Sequence, residues 1–391
     1  MSATVEEHAA LVRALIEPVL PHETETVPLA DAAGRVLGGI ILSPVDLPLF
    51  RNSQMDGFAI RAADLPGPLP IAGEIPARPE EPTPIAPSTG VRIMTGAVVP
   101  EGADAVVPVE EATVSGDQLT VRRPSVAGEY VRERGSDIRV GDELLAGGIR
   151  LSSRHLAALA AASITSVPVR RRTRVSIITT GAELMPLGIR PGPGQIVDAN
   201  AIALHSAVIA AGAVVAFEAR VTDNAVAFRE ALDAANTAAD LVLTSGGISM
   251  GEHEVVRDVL EPLGGTIGQV AMQPGGPQAT AAVDGVPVIA FPGNPVSTQL
   301  SFEVFVAPLL RAHAGLPAAH REVKLLAEPL RSVPGKRQFL RGRAVGSERV
   351  ALVSGPGSHL VAGLAASDLL VVVPEQTTEL AKGDTVETIA L

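Results

Sequence analysis

The residues with the clearest chemical promise lie in Thr244-Ser245-Gly246-Gly247-Ile248-Ser249-Met250-Gly251, between an apolar Leu241-Val242-Leu243 and Glu252-His253-Glu254-Val255-Val256-Arg257. Glycines let a backbone approach an anion and turn its N–H groups inward, and a following helix adds free donors and the positive end of its dipole. On that reading the loop cradles a phosphate, with Ser245 and Ser249 adding hydroxyl donors. A tight strand-to-helix turn without a ligand is the other reading. No lysine follows the glycines, so the loop is not of the Walker type.

Two further stretches carry reactive side chains. Met55-Asp56-Gly57 sits among apolar residues, where Asp-Gly ordinarily marks a hairpin turn. Arg132, Arg134 and Arg139 surround Gly135-Ser136-Asp137, a basic cluster with a carboxylate inside it. A solvated loop of mixed charge is the default there, and an anion clamp the sharper alternative. The run Arg170-Arg171-Arg172-Thr173-Arg174 reads as an exposed domain junction.

Positioning such groups requires an ordered scaffold, and the pattern from Arg174 to about Ala314 supplies one. Strands at 175–178, 214–219 and 241–243 alternate with helices at 199–211 and 225–235. A strand near Thr266, a hairpin ending in Val286-Pro287-Val288-Ile289-Ala290 and a helix over 295–314 follow. This predicts a doubly wound α/β sheet with ligand loops at the carboxyl ends of its strands. Those loops are Thr179-Thr180-Gly181-Ala182-Glu183, Thr222-Asp223-Asn224, the Ser-Gly-Gly loop and Phe291-Pro292-Gly293-Asn294-Pro295, four on one rim. Thr4 to Leu20 reads as an amphipathic helix with Thr4 and Glu7 as a capping box, ended by Pro21. Prolines between Asp64 and Pro87 exclude a helix and leave a β-rich insert, Gly116-Asp117 marks a hairpin, and Leu151 to Ala162 is helical. From about Pro317 short alternating runs predict a small β-domain.

Composition narrows the classes. The 391 residues allow two to four domains, and the cores must be aliphatic because aromatics are only 2%. With no cysteine there is no disulfide, thiolate metal site or cysteine nucleophile. No apolar run reaches the roughly 18 residues that span a bilayer, and the amino terminus resembles no leader, so a cytoplasmic address is expected. A net charge of −12 disfavours nucleic acid, so any anion site is local.

Ser53-x-Met55-Asp56-Gly57, Arg92-Ile-Met-Thr95-Gly96-Ala with Gly102-Ala-Asp104, Arg134-Gly-x-Asp137-Ile, Thr180-Gly-x-Glu183-Leu, Ser245-Gly-Gly-x-Ser249-x-Gly251-Glu and Pro292-Gly-Asn-Pro-Val-Ser297 occur in one order. That order resembles the molybdopterin molybdotransferase family, which comprises MoeA and the gephyrin carboxy-terminal region. Each motif is weak alone; together they span nearly the whole chain. The resemblance implies a multidomain α/β protein forming a homodimer. Residues 1–25 would be a helix packed with the αβ domain, 26–44 and 141–173 a connecting domain, 45–140 a β-rich insert, 174–316 the αβ molybdopterin-binding domain and 317–391 a carboxy-terminal β-domain.

The implied activity is insertion of molybdate into adenylylated molybdopterin with release of AMP, dependent on Mg2+, downstream of a molybdopterin adenylyltransferase. Carried over residue by residue, Asp56, Thr95, Asp137 and Glu183 would be catalytic, and Glu183, Asp223 and Glu254 would hold the metal. Substrate would be bound by Arg132, Asp198, Ser245, Gly246, Gly247, Ser249, Gly251, Pro292, Gly293, Asn294, Pro295 and Ser297. Asp56, Thr95, Arg132 and Asp137 would act on the rim of the other subunit, Asp56 by positioning water or assisting proton transfer.

The chain departs from the family pattern where lysines are usual: Gln269, Gln273 and Gly276 stand there, and amides bring no net charge to an oxyanion. Ala362 and Gly363 replace paired serines. Arg341 and Arg343 are the candidate substitutes, with an exposed position the default for both. The alternatives are a molybdopterin carrier or scaffold without turnover and, less favoured, the adenylyltransferase itself.

Overall fold

The protein is described here as a computed structural model covering residues 2–249 and 254–391. The chain divides into two units, one of Met1–Glu25 with Arg170–Leu391 and one of Thr26–Val169.

In the first unit the strands β1 (Arg174–Thr180), β2 (Val214–Val221), β3 (Leu241–Ser245), β4 (Thr266–Gln269), β5 (Pro277–Val283) and β6 (Val286–Phe291) form one sheet, ordered β2-β1-β3-β6-β5-β4. β1 pairs in parallel with β2 and β3, and β3 with β6; β5 and β4 extend the edge antiparallel. Both faces of the central strands are buried, so they read as continuous apolar runs. Val175, Ile177, Leu241 and Leu243 face one core, whereas Ile178 and Val242 face the other. The first core is covered by α1 (Val5–Ile16), α2 (Ala199–Ala210), α5 (Pro295–Ser301) and α6 (Ala307–His313), the second by α3 (Ala225–Ala238) and α4 (Val255–Leu260). The order reverses between β1 and β3, and a crevice opens outside their carboxyl ends.

Two helices differ from expectation. α1 carries the expected capping box, Glu7 N donating to Thr4 Oγ1 at 3.1 Å and Thr4 N to Glu7 Oε2 at 2.8 Å. It ends at Ile16 rather than near Leu20, and Glu17–Val19 is a 3₁₀ turn, because Pro18 removes an N–H donor. The expected helix over 295–314 is interrupted by a π-helical segment at Phe302–Val306 just before Pro308, which likewise cannot donate to the preceding turn.

His8 on α1 is 6% exposed, its ring edge-on to Phe305 at 4.6 Å, with Nε2 unpartnered. Burial pushes its pKa down from 6.5 to about 4. The native state therefore binds this proton more weakly than the unfolded chain, and stability falls as pH drops from 6.5 toward 4. A difference of this size is on the order of 3 kcal/mol. Urea unfolding at pH 4.5 and 7 should show a steeper acid loss in the wild type than in His8→Leu; parallel losses would refute the assignment.

After α6 the chain forms β7 (Arg321–Leu326), β8 (Arg337–Val345), β9 (Arg349–Leu352), the short helix α7 (Val361–Ala365), β10 (Leu369–Val373) and β11 (Thr385–Ala390). The strands follow the order β8-β9-β7-β11-β10, and β10 pairs back onto β8, which closes a small barrel. Met272–Gln273, from the αβ portion, adds in parallel to β8. That pairing places Gln273 opposite Gln338.

The second unit holds a six-stranded sheet, from Ala105–Pro108 through Gly57–Ile60, Gly90–Ile93, Leu69–Ile75 and Gln118–Val121 to Ala112–Ser115. Met55-Asp56 is not a hairpin turn. Asn52–Ser53 before it pairs with Val131–Arg132, while Gly57–Ile60 after it lies between two other strands. Gly57 is demanded by close approach, since a Cβ there would meet Val107 O at 2.0 Å. Gly116 turns the expected hairpin with φ 63°, and Ser153–Ala161 is the expected helix.

Candidate functional site

The four rim loops line one cleft of about 760 Å³, joined by Leu184, Ile196–Asn200, Gln273–Gly275, Pro277 and Pro356–His359 of the barrel. All of these residues belong to the first unit.

The glycines of the Ser-Gly-Gly loop are set by contact. Gly246 has φ 97° and Gly247 φ 67°; a Cβ on Gly246 would fall 2.5 Å from Thr180 O, and one on Gly247 2.8 Å from Val256 Cγ2. Gly293 lies against Gly246, its Cβ position 3.2 Å from Gly246 Cα. We expect Gly246→Ala to lose on the order of 3 kcal/mol, because positive φ and the clash with Thr180 add. Thermal melting checks it; a Tm within 1–2 °C of wild type, on the order of the shift that a few tenths of a kcal/mol produce, would contradict it.

Ser245 does not offer its hydroxyl to the cleft, contrary to expectation. It is 1% exposed, and Asn200 Nδ2 donates to its Oγ at 2.8 Å. Thr298 Oγ1 lies 2.9 Å away and itself donates to Pro292 O at 2.6 Å, so Ser245 donates to Thr298. Asn200 Nδ2 also donates to Gly293 O at 2.7 Å. Asn200 and Thr298 thus bolt the two glycine loops together. The sequence reading missed both, since neither stands out among the other polar residues of its helix.

Asp198 is likewise committed: Oδ1 caps α2 through Ala201 N at 3.0 Å, and Oδ2 accepts from Thr179 Oγ1 at 2.6 Å. It lines the cleft as a supporting residue. Ser249 is exposed in the cleft and Ser297 buried beside it. Pro292, Gly293, Asn294 and Pro295 all line it, Asn294 capping α5 without a side-chain bond. Gly251 lies outside the described residues. α4 is six residues long and begins at Val255, and the N–H groups of Val256 and Arg257 in its first turn both donate to Gly247 O at 3.1 Å, so they are committed to the loop itself.

Glu183, Asp223 and Glu254 share the cleft, yet among the described residues no three carboxylate or imidazole groups gather closely enough to hold an ion. Glu183 folds over Gly181, and Asp223 Oδ2 accepts from Ala182 N at 3.1 Å. The expected metal triad is therefore not assembled. The donor type still suits magnesium, which takes hard oxygens and commonly one or two carboxylates completed by substrate phosphates and water. Among the described lining residues there is no lysine or arginine. Gln269 is exposed and Gln273 Oε1 accepts from Gln338 Nε2; as amides, both bring an anion no net charge.

Arg341 overturns its expected exposure: it is fully buried. Nε donates to Ser354 Oγ at 3.0 Å and Nη2 to Gly355 O and Gly357 O, while Nη1 is buried and unpartnered. Among the described residues no carboxylate pairs with it, and desolvation holds its pKa below the usual arginine value. Arg343 is exposed and donates to Ala366 O.

In the second unit Asp56 and Thr95 come together. Thr95 N and Oγ1 donate to Asp56 Oδ1 at 2.7 and 2.8 Å, and these two bonds hold the exposed Asp56 carboxyl below the usual carboxylate range. Arg132 is exposed, its Nη1 3.5 Å from Asn52 Oδ1. The carboxylate inside the basic cluster is Asp46 rather than Asp137. Asp46 accepts from Val140 N at 2.9 Å and pairs with Arg134 Nε at 2.7 Å, and both lower its pKa. Asp137 is exposed, fixed through its backbone N–H to Leu47 O.

Three family profiles match the chain: the MoeA N-terminal region (domain I and II) over residues 3–163, a probable molybdopterin binding domain over 176–312 and the MoeA C-terminal region (domain IV) over 325–391. The chain is 40% identical to molybdopterin molybdenumtransferase 2 of Mycobacterium tuberculosis, across 97% of each chain. It is 34% identical to the molybdopterin molybdenumtransferase of Haemophilus influenzae, across 94% of this chain and 93% of the relative. Its fold is similar to the crystal structure of the molybdopterin biosynthesis MoeA protein of Pyrococcus horikoshii, with a TM-score of 0.84 and 30% identity over 100% of this chain and 99% of that one.

Proposed function

The chain belongs to the MoeA family of molybdopterin molybdenumtransferases and is a transferase of molybdenum cofactor biosynthesis, and from that premise we propose how its own residues do the work. The substrate, adenylylated molybdopterin, lies in the cleft at the carboxyl ends of β1, β3 and β6. Molybdate enters the dithiolene, and the phosphoanhydride is cleaved by water to release AMP.

The observation that carries this reading is the cleft itself: glycine loops that admit a phosphate backbone-first, carboxylates on the same rim, and a barrel loop, Pro356–His359, closing one side. The Asn200–Ser245–Thr298 bonds, with Gly246 N donating to Phe291 O at 3.1 Å, hold the glycine loops at fixed spacing before substrate arrives. Thr298 and Asn200 position; Ser249 and Asn294, both exposed, are left to touch substrate, with Ser297 buried beside them.

The lining is acidic and the substrate anionic, so a countercharge has to come with the ligand. Glu183, Asp223 and Glu254 are the residues we assign to Mg2+, a pair at a time with substrate phosphate oxygens; bound there, the ion neutralises phosphoanhydride charge. Molybdate is assigned to Arg341 Nη1, a buried cationic donor with no acceptor among the described residues, which does not itself line the cleft but is bonded through Nη2 to Gly357 O of the lining loop. This lets one guanidinium serve where Gln269, Gln273 and Gly276 bring no charge.

Asp56, held by Thr95, is assigned to the hydrolytic water, with Arg132 and Asp137 beside the anion, all presented by a second copy in a homodimer. The five-part division of the sequence reading is retained as our proposal, as are a cytoplasmic location and an adenylyltransferase as supplier of substrate. Among the described residues no helix is long and apolar enough to cross a membrane.

The test is AMP release from adenylylated molybdopterin by the purified protein, with molybdate and Mg2+ each present and absent. Release that requires both supports the reading. Tight binding without release would make the protein a carrier instead.

A further inference from the structure

Gly363, on α7, has no room for a side chain. A Cβ there would fall 2.4 Å from Ser354 Oγ and 2.7 Å from Ser354 Cβ. Ser354 thus occupies the volume that a residue at 363 would need. It reaches that place because β9 runs antiparallel to β8, and Val353 N donates to Arg341 O at 2.9 Å just beyond the last paired residues. The next residue, Ser354, therefore lies beside the Arg341 side chain.

The guanidinium is planar and its donors form a rigid fork. Fixing Nε on Ser354 Oγ and Nη2 on Gly355 O and Gly357 O fixes the plane of the group and leaves Nη1 as its unpartnered end. Without the Ser354 acceptor, Nε would be a second buried orphan and the fork could rotate about its end to satisfy it.

We propose that Ser354 is a positioning residue that aims Arg341 Nη1 at the bound oxyanion, and that Gly363 is glycine so that Ser354 can stand there. The hydroxyl comes from the loop after β9 instead of from α7. This inference rests on the assignment of molybdate to Arg341.

The experiment uses the full chain, with Michaelis constants for molybdate and for adenylylated molybdopterin measured separately in the AMP-release assay. Ser354→Gly and Gly363→Ser should each raise the molybdate KM about tenfold, the size expected for one hydrogen bond to a charged group, and leave the KM for adenylylated molybdopterin where it was. Ser354→Thr, which keeps the hydroxyl, should retain the wild-type constant. The double swap, Ser354→Gly with Gly363→Ser, returns a hydroxyl from the helix side and should recover most of the loss. If both constants move together, Ser354 merely props the Pro356–His359 loop and the inference falls. It falls equally if Ser354→Gly changes nothing or the double swap is additive. Should Gly363→Ser fail to fold, Ser354→Gly, which only removes atoms, carries the test. Arg341→Gln separates the two levels: an unchanged molybdate KM there sinks the Arg341 assignment itself, whereas a raised one with normal Ser354 variants sinks only the positioning role.

Discussion

Asp56→Asn is expected to lower molybdate-dependent AMP release by about 10²- to 10⁴-fold, the range over which a positioned acid or base acts. The substitution is nearly isosteric, and the amide oxygen can still accept from Thr95 N and Oγ1, the two donors that hold Oδ1. What disappears is the negative charge and the second oxygen, Oδ2, which has no hydrogen-bond partner among the described residues and is the atom left for a water molecule. Thr95→Val gives a finer check. It deletes the hydroxyl donor while keeping the N–H bond, so the Asp56 pKa rises toward its ordinary value and the acid limb of the pH–rate profile moves to higher pH. An acid limb that stays in place would show that Asp56 does not carry the ionisation, and Asp56→Asn turning over at the wild-type rate would remove it from the chemistry.

Arg341→Gln is expected to raise the molybdate KM by roughly thirtyfold to a few thousandfold, since truncating one side of a buried charge-assisted pair costs about 2–5 kcal/mol. Glutamine can still reach Ser354 Oγ or a loop carbonyl, so the barrel loop keeps part of its anchoring. The loss should therefore fall on molybdate and spare adenylylated molybdopterin. A buried guanidinium with an orphan donor and no facing carboxylate is costly for the native state by itself; an anion arriving at Nη1 offsets that cost. Molybdate should accordingly raise the Tm of the wild type and leave that of Arg341→Gln unchanged. Equal stabilisation of both would place molybdate elsewhere.

The αβ portion was legible because its signals are local. Short apolar runs in 175–178 and 241–243, glycines after β3, and Thr4 with Glu7 at the start of α1 each act within a few residues of themselves. The placement of four loops on one rim followed from the same pattern, because a parallel strand delivers its carboxyl-end loop to one edge. Pro18 and Pro308 were visible too, and their missing N–H groups explain where α1 stops and where the π segment begins.

The departures at the candidate site concern which way a polar side chain faces once loops from distant parts of the chain meet. Ser245 turned inward because Asn200 and Thr298, 45 and 53 residues away, supply its partners. Asp46 took the place expected of Asp137 because Arg134, 88 residues on, lies beside it. Glu183, Asp223 and Glu254 reached the same cleft without closing into a ligand set, as shared lining does not dictate separation.

The sequence alone therefore determined the α/β scaffold, the glycine loops and the family, since turn chemistry, strand period and motif order are properties of contiguous residues. Tertiary structure decided the surroundings of Arg341. Arg341 is buried only because β8 is enclosed by β9 and β10 in a closed barrel, and its free donor is aimed only because Ser354 fills the space above Gly363. Burial and orientation are sums over neighbours brought together by folding, and no window of sequence contains them.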